Sequence, residues 1–173
     1  MMQVTLEKAT MADADALVNI QKQAFERLYN IYHDDTNPYL RGTEEFERWF
    51  GRGHHVYKIY ADGILAGGIT VFDRGADGYY LARIYILPEL QRKGIAKRAI
   101  ELCENNYPDV CRWFLDYPED QIANKRCYEA SGYVKTGSRR VMNEKLTLVD
   151  AEKLINGIFP IRVVCLPNAL DVI

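Results

Sequence analysis

The first part of the chain predicts one strand followed by two helices. Hydrophobic and polar residues alternate weakly over residues 4–9, which is the spacing of a strand. Thr10, with Asp13 three residues later, is typical of a helix start, and apolar residues then recur at helical spacing to about Tyr32. These apolar positions are Leu17, Ile20, Ala24, Phe25 and Leu28. Residues 33–38 interrupt the pattern, and Thr43 opens a shorter second helix.

The middle of the chain predicts an antiparallel meander. The turn signal Asp62-Gly63 separates two strand-like stretches, one around residues 56–60 and the other over residues 64–72. A second turn at residues 75–78 leads into a third strand over residues 79–87, which Pro88 ends.

The remaining pattern alternates between helices and strands. Residues 92–106 and 121–131 predict helices, with Gly132 in the left-handed conformation that ends the second one. A short strand lies between them at residues 112–116, and a last pair of strands follows from Tyr133 and over residues 141–149. A strand, a helix and a strand over residues 81–116 imply two parallel neighbours in an otherwise antiparallel sheet. The pattern therefore predicts an α+β fold.

Composition indicates one folded domain with a carboxyl-terminal extension. The chain has 173 residues, of which 48% are hydrophobic, and this is enough for a sizeable core. Residues 158–166 are largely apolar, and a soluble protein does not leave such a stretch exposed. We therefore predict a domain over residues 1–150 and an extension over residues 151–173, which packs back on the domain or contacts a second subunit. A homodimer is left open.

Charge and cysteine spacing exclude several kinds of partner. The formal net charge of −2 argues against a nucleic-acid partner, because such proteins usually carry a strongly basic face. No basic segment followed by an apolar stretch opens the chain, and no apolar run reaches membrane-spanning length. The four cysteines form no C-x-x-C pair, and the three histidines do not bracket them at zinc spacing. We predict a cytoplasmic protein with free thiols, without a metal and without a membrane partner.

The turn between residues 87 and 95 is the strongest candidate for a binding site. The first amides of a helix have no intrahelical partner, and the helix dipole favours an anion there. Gly94 has no side chain to keep a phosphate from the backbone, and Arg92 and Lys93 add positive charge. A Walker loop and a G-x-G-x-x-G fingerprint are both absent. The residues therefore favour a diphosphate cradle of another kind, and an ordinary surface turn with two cations is the alternative.

Two motifs carry a resemblance to a known family. The run Q-R-K-G-I-A over residues 91–96 resembles the Q/R-x-x-G-x-G/A signature of the GNAT acetyltransferase superfamily, and the preceding I-L-P matches the strand end before it. About thirty residues later, residues 127–133 read C-Y-E-A-S-G-Y and resemble the family's Y-E-K-x-G-F segment. The resemblance covers roughly residues 3–150. It implies a three-layer α/β arrangement: a twisted, mostly antiparallel sheet with helices on both faces and a parallel strand pair that splays at the cofactor site.

The resemblance also implies an activity and a role for particular residues. Members transfer the acetyl group of acetyl-CoA to a primary amine by direct attack in a ternary complex. The residues that would bind the cofactor are Ile84, Tyr85, Ile86, Gln91, Arg92, Lys93, Gly94, Ile95, Ala96, Lys97 and Asn124. Tyr128 would lie near the thioester sulfur and protonate the leaving thiolate as general acid. Many members carry an asparagine seven positions before that tyrosine, where this chain has Gln121.

The general base and the acceptor stay open. Some members carry a glutamate on the strand before the loop, where this chain offers Arg83 and Tyr85. Asp116 is a candidate base, or else a carboxylate that caps the following turn. Aromatic and acidic residues over positions 29–39 would suit a cationic amine, or form a solvated loop. Acceptors from polyamines and aminoglycosides to amino acids and protein amino termini fit. A module that binds acetyl-CoA without turnover is the alternative function.

Overall fold

The computed structural model describes residues 2–155, which form one seven-stranded sheet and four helices. The strands are β1 (Val4–Lys8), β2 (His55–Ala61), β3 (Ile64–Asp73), β4 (Tyr79–Ile86), β5 (Arg112–Pro118), β6 (Val134–Val141) and β7 (Thr147–Leu154). The helices are α1 (Ala14–Tyr32), α2 (Thr43–Gly51), α3 (Ile95–Asn105) and α4 (Ile122–Ala130). The strand order is β1-β2-β3-β4-β5-β7-β6, and only the β4–β5 pair is parallel. The predicted mixed, mostly antiparallel sheet is confirmed.

Two hydrophobic clusters place helices on both faces of the sheet. α1 and α2 pack over β2, β3 and β4 through a cluster that includes Leu17 and Phe46. On the opposite face, Ile95, Ile100 and Trp113 belong to the larger cluster, which joins α3 and α4 to the sheet. The three-layer arrangement is therefore confirmed, and burial of both faces explains why the central strands carry apolar residues at consecutive positions.

Positive backbone angles occur where the sequence predicts turns. Asp62 and Gly63 both have positive φ, which suits the tight turn of the β2–β3 hairpin. Gly132, at φ 92°, ends α4 in a Schellman motif: the N–H of Tyr133 donates to the carbonyl of Tyr128 at 3.0 Å, and the N–H of Gly132 to that of Glu129 at 3.0 Å.

The parallel pair is short, and this opens the sheet. β4 and β5 pair only through Tyr79 with Trp113 and Tyr80 with Phe114. Beyond Tyr80 the two strands diverge, so the edge of β4 that faces β5 has no strand partner up to Ile86. A gap between two central strands leaves backbone donors and acceptors available to a ligand.

Some predicted boundaries were wrong. α3 begins at Ile95 rather than at Arg92, because Arg92 and Gly94 both have positive φ and interrupt the helical geometry. The last turn lies at residues 142–146, where the side-chain oxygen of Asn143 accepts the N–H groups of Lys145 and Leu146. As a result β6 and β7 both end later than predicted.

The predicted extension begins inside the sheet. β7 continues to Leu154, so residues 151–154 form its end. Residues 156–173, which make up the rest of the predicted extension, lie outside the described residues. No helix within residues 2–155 is long and apolar enough to cross a membrane.

Candidate active site

A cavity of about 400 Å³ opens where β4 and β5 diverge. Its walls are the end of β4, the following loop with the start of α3, one side of α4 and part of α1. The predicted cofactor residues that line it are Ile84, Tyr85, Ile86, Gln91, Arg92, Gly94, Ile95, Ala96, Lys97 and Asn124. The predicted general acid, Tyr128, lines it too. Lys93 is exposed and does not line it.

The loop before α3 presents consecutive backbone donors to this cavity. The N–H groups of residues 92–97 donate to no protein acceptor within residues 2–155, and the first helical bond runs from the N–H of Arg98 to the carbonyl of Gly94 at 3.1 Å. The side-chain amide of Gln91 donates to the carbonyl of Ile86 at 3.0 Å and holds the loop against β4. A β-carbon added at Gly94 would meet no atom within 4 Å, so the space above this residue is open. Unpartnered amides at the positive end of a helix dipole favour an anion, and five of these six residues, all except Lys93, line the cavity.

Tyr128 combines a packed ring with an unengaged hydroxyl. Its ring lies 5.3 Å from that of Tyr117 and 6.2 Å from that of Tyr133, centroid to centroid. Only 9% of the residue is exposed, and its hydroxyl has no hydrogen-bond partner within residues 2–155. Burial, and then the neighbouring Cys127 and Asp116, raise the pKa of the Tyr128 hydroxyl. The hydroxyl therefore keeps its proton at neutral pH.

The two amides at the start of α4 differ in their engagement. Gln121 donates to the hydroxyl of Tyr32 at 2.7 Å and accepts from Arg27 at 3.0 Å. The hydroxyl of Tyr32 in turn donates to Asp120. Burial, and after it the hydrogen bond to Asp120, raises the pKa of Tyr32 to about 12. Asn124 lines the cavity without a side-chain hydrogen bond to any described residue. Gln121 therefore joins α1 to α4, whereas the amide of Asn124 is available to a ligand.

Arg83 of β4 forms a nearly buried ion pair with Glu45. The guanidinium of Arg83 lies 2.5 Å from Glu45 of α2 and 3.1 Å from the side-chain oxygen of Gln21 on α1. Both charged side chains are nearly buried, so the pair serves to hold α1 and α2 on the sheet. Arg83 of β4 is therefore a structural cation.

Asp116 is a carboxylate on β5 just beyond the end of its pairing with β4. Along β5 it is the first outward-facing residue after Phe114, the last residue that pairs with β4. Its Oδ2 accepts from the hydroxyl of Tyr80 at 2.5 Å and from Arg140, whereas Oδ1 receives no donor from the described residues.

The predicted acceptor loop uses its polar groups internally. Asp34 accepts from the N–H of Thr36 at 3.1 Å and from its hydroxyl, and the rings of Tyr29 and Tyr39 stack at 5.1 Å. These groups stabilise the connection between α1 and α2, whereas the carboxylate of Asp35 in the same loop is exposed and accepts no hydrogen bond from the described residues.

Comparison with known proteins agrees with this geometry. The model of the acetyltransferase (GNAT) family matches residues 17–133, which is more than half of the chain. This chain belongs to the GNAT acetyltransferase family. No curated protein sequence shows a significant match.

Solved structures show the same fold at low sequence identity. PaiA N-acetyltransferase from Thermoplasma acidophilum, in complex with coenzyme A, is 16% identical with a TM-score of 0.64, over 89% of this chain and 100% of that one. YncA from Salmonella typhimurium, with its cofactor acetyl-CoA, is 19% identical with a TM-score of 0.66, over 96% and 98%. The ribosomal-protein-alanine N-acetyltransferase from Brucella melitensis is 20% identical with a TM-score of 0.69, over 87% and 99%.

The cavity of this GNAT protein also contains residues that the sequence did not single out. Phe25 and Leu28 of α1 line it, although their helical spacing predicted only a core face. Arg27 of α1 and Arg126 of α4 line it as well and add two cations to Arg92 and Lys97. Helical periodicity indicates which residues share a face, but it does not show that a face meets a gap in the sheet.

Proposed function

We propose that this GNAT protein is an acetyl-CoA-dependent N-acetyltransferase that moves the acetyl group to a primary amine by direct attack in a ternary complex. The observation that supports this most strongly is the run of six unpartnered amides over residues 92–97, which opens on the same cavity as Tyr128. The related structures with bound coenzyme A or acetyl-CoA share this fold.

The cavity residues fit the chemistry of coenzyme A. A diphosphate needs several donors and positive charge, and the loop amides together with Arg92, Lys97 and Arg126 offer both. The pantetheine arm carries amides that need backbone partners, and the unpaired edge of β4 between Tyr80 and Ile86 offers a strand's donors and acceptors. Acetyl-CoA would supply the acetyl group as a thioester, and no metal is needed for its transfer.

The proposal assigns the proton transfers to two side chains. An ammonium has no lone pair, so one proton must leave before nitrogen attacks the thioester carbon; Oδ1 of Asp116 is the unengaged carboxylate oxygen that would take it. As the new C–N bond forms, the C–S bond breaks, and the hydroxyl of Tyr128 donates a proton to the leaving thiolate. The second proton that nitrogen loses on becoming an amide then returns to the oxygen of Tyr128, so that the hydroxyl is restored. A tyrosine with a raised pKa is present in its acid form at neutral pH, which this role requires.

A matched pair of glycine substitutions tests the cofactor site. Gly94 and Gly53 have φ of 80° and 74°, and an added β-carbon meets no atom within 4 Å at either position. Replacing either by glutamate therefore imposes the same left-handed strain, about 1–2 kcal/mol, and the same charge. We expect Gly94→Glu to weaken coenzyme A binding by about 100-fold or more in calorimetry, because the carboxylate would lie beside the diphosphate site. Gly53→Glu should bind normally.

The result that contradicts the proposal is equally clear. If both variants lose the same stability and both bind coenzyme A as tightly as the unaltered protein, the loop before α3 is not the diphosphate site. The acceptor reaction is tested separately, by thiol release from acetyl-CoA with a panel of amines. Tight binding without thiol release would favour the alternative function, a module that binds acetyl-CoA without turnover.

A further inference from the structure

A second cavity, of about 650 Å³, lies on the outward face of the sheet beside the opening between β4 and β5. α1 and α2 pack on β2, β3 and β4, and the outward face of β5 and β7 extends beyond them. The residues that line this cavity are Phe72, Arg74, Tyr80, Arg112, Phe114, Leu115, Thr136, Arg140, Asp150, Ala151 and Glu152. It lies on the face opposite to α3 and α4, because Phe114 alternates along β5 with the buried Trp113 and Leu115.

The guanidinium of Arg74 lies against aromatic rings and has no carboxylate partner within residues 2–155. Its guanidinium lies 5.7 Å from the ring centre of Tyr80 and 5.1 Å from that of Phe114. No carboxylate within residues 2–155 lies within 4 Å of it, and its side-chain N–H groups donate to no described residue. The N–H groups of a guanidinium match a carboxylate or phosphate, so Arg74 offers a prepositioned anion partner.

Arg112 supports this arrangement from the same ring. Its guanidinium lies 4.6 Å from the ring centre of Phe114, and two of its nitrogens contact Glu152 at 2.6 and 3.0 Å. Glu152 already neutralises Arg112. Of the two guanidinium groups that lie against the ring of Phe114, only that of Arg74 is therefore without a carboxylate partner among the described residues. Arg140, the third arginine of the cavity, is paired with Asp116 and Asp150, so Arg74 is the cavity arginine without a carboxylate partner among the described residues.

Phe114 and Asp116 lie on the same face of β5. Alternate residues along a strand point to the same side and are about 6.6 Å apart, so the ring of Phe114, with Arg74 above it, lies about that far from Asp116. Asp116 lies where the strands diverge and has one unengaged oxygen. Arg74, which suits an anion, and Asp116, which suits a cation, thus lie near each other on the same face of the sheet.

We infer that the acceptor of this enzyme is a primary amine that also carries an anionic group, with the ammonium at Asp116 and the anion at Arg74. The inference rests on the proposed acetyl transfer and narrows its substrate class. A separation of about 7–10 Å between the two groups corresponds to two or three residues of extended peptide. An amino-terminal peptide with an early acidic residue and a free ω-amino acid share this chemistry.

The test compares matched acceptors that differ only in the anion. One pair is 6-aminohexanoate and 6-aminohexanamide, and the other is Gly-Gly-Glu-amide and Gly-Gly-Gln-amide. We expect kcat/KM to be about tenfold or more higher for the anionic member of at least one pair, as an added charge-assisted hydrogen bond predicts. A preference within the peptide pair alone would identify a peptide, and within the other pair alone a small ω-amino acid.

Three substitutions assign the preference to residues. Arg74→Gln should bring the anionic-to-neutral ratio to about one while leaving the rate with the neutral acceptor within twofold. Asp116→Asn should lower kcat/KM for both members of a pair by a similar factor and keep the ratio. Arg48→Gln, which removes an exposed cation of α2 that lines neither cavity, should keep both the rates and the ratio.

Two failures are distinguishable. Acetyl transfer with a ratio of one in both pairs, or a ratio that survives Arg74→Gln, would overturn this inference and leave the acetyltransferase proposal standing. No transfer to any amine, together with normal coenzyme A binding, would overturn both.

Discussion

Tyr128 allows a sharp test because its hydroxyl can be removed without disturbing a protein hydrogen bond. In Tyr128→Phe the ring keeps its contacts with Tyr117 and Tyr133, and no hydrogen bond within residues 2–155 is lost. We therefore expect the free energy of unfolding to change by less than about 1 kcal/mol, the usual contribution of one hydrogen bond. Coenzyme A affinity should stay within about threefold, because the proposed mechanism has the hydroxyl act at the thioester rather than at the diphosphate.

The expected loss is in the chemical step. General acid catalysis contributes about 10²–10⁴-fold, which corresponds to about 3–5 kcal/mol of transition-state stabilisation. The raised pKa means that Tyr128 keeps its proton throughout the neutral range, so its ionisation should cause no fall in rate below about pH 10. The assay is thiol release from acetyl-CoA at saturating amine, measured from about pH 6 to pH 10.

Tyr133→Phe is the matched control. It removes a hydroxyl five residues away that donates to the buried Glu104 at 2.9 Å, and this should cost about 1.5–3 kcal/mol of stability. The folded variant should nevertheless turn over normally, because Tyr133 does not line the cavity. If Tyr128→Phe retains its rate within threefold, or both variants lose the same fraction of kcat, Tyr128 is not the general acid.

Two further predictions concern stability. Glu45→Gln should lower the free energy of unfolding in urea by about 3–5 kcal/mol, because it leaves the buried charge of Arg83 unpaired. Glu47→Gln, on the exposed side of α2, should change it by less than about 0.5 kcal/mol. Equal effects would show that the pair does not hold α2 on the sheet. Burial raises the pKa values of Tyr80 and Tyr133 above the ordinary value near 10. Their contribution to stability is therefore complete below about pH 10 and declines as the pH rises further. The free energy of unfolding in urea should be lower at about pH 11 than at about pH 9, and an unchanged value would contradict this prediction.

The elements of this protein follow from local chemistry and were largely predictable. The Asp62-Gly63 turn, the helix that starts after Thr10 and the glycine that ends α4 depend on residues adjacent in sequence, whose backbone preferences do not change with the rest of the fold. The start of α3 was misplaced by three residues because a positive φ at Arg92, which is not a glycine, has no strong sequence signal.

The cavity lining was predictable in part for the same reason. The loop over residues 91–97 is a continuous segment, so its unpartnered amides follow from the strand, turn and helix that contain it. Arg126 and Phe25 were missed because each belongs to a helix. The helical pattern indicates which residues share a face, but it does not indicate which part of the fold that face contacts. Which helices border the opening depends on how the strands are ordered.

By itself the sequence determined the order of the elements, the loop of free amides and the tyrosine of α4, because each depends on neighbours within about one helical turn. Only the tertiary structure decided that the β4–β5 pairing stops at Tyr80 and Phe114, that Glu45 neutralises Arg83, and that Asp116 and Arg74 lie on one face. These outcomes depend on strand register between segments far apart in the chain. A shift of one residue in a strand would turn a strand side chain such as Arg83 or Asp116 to the opposite face.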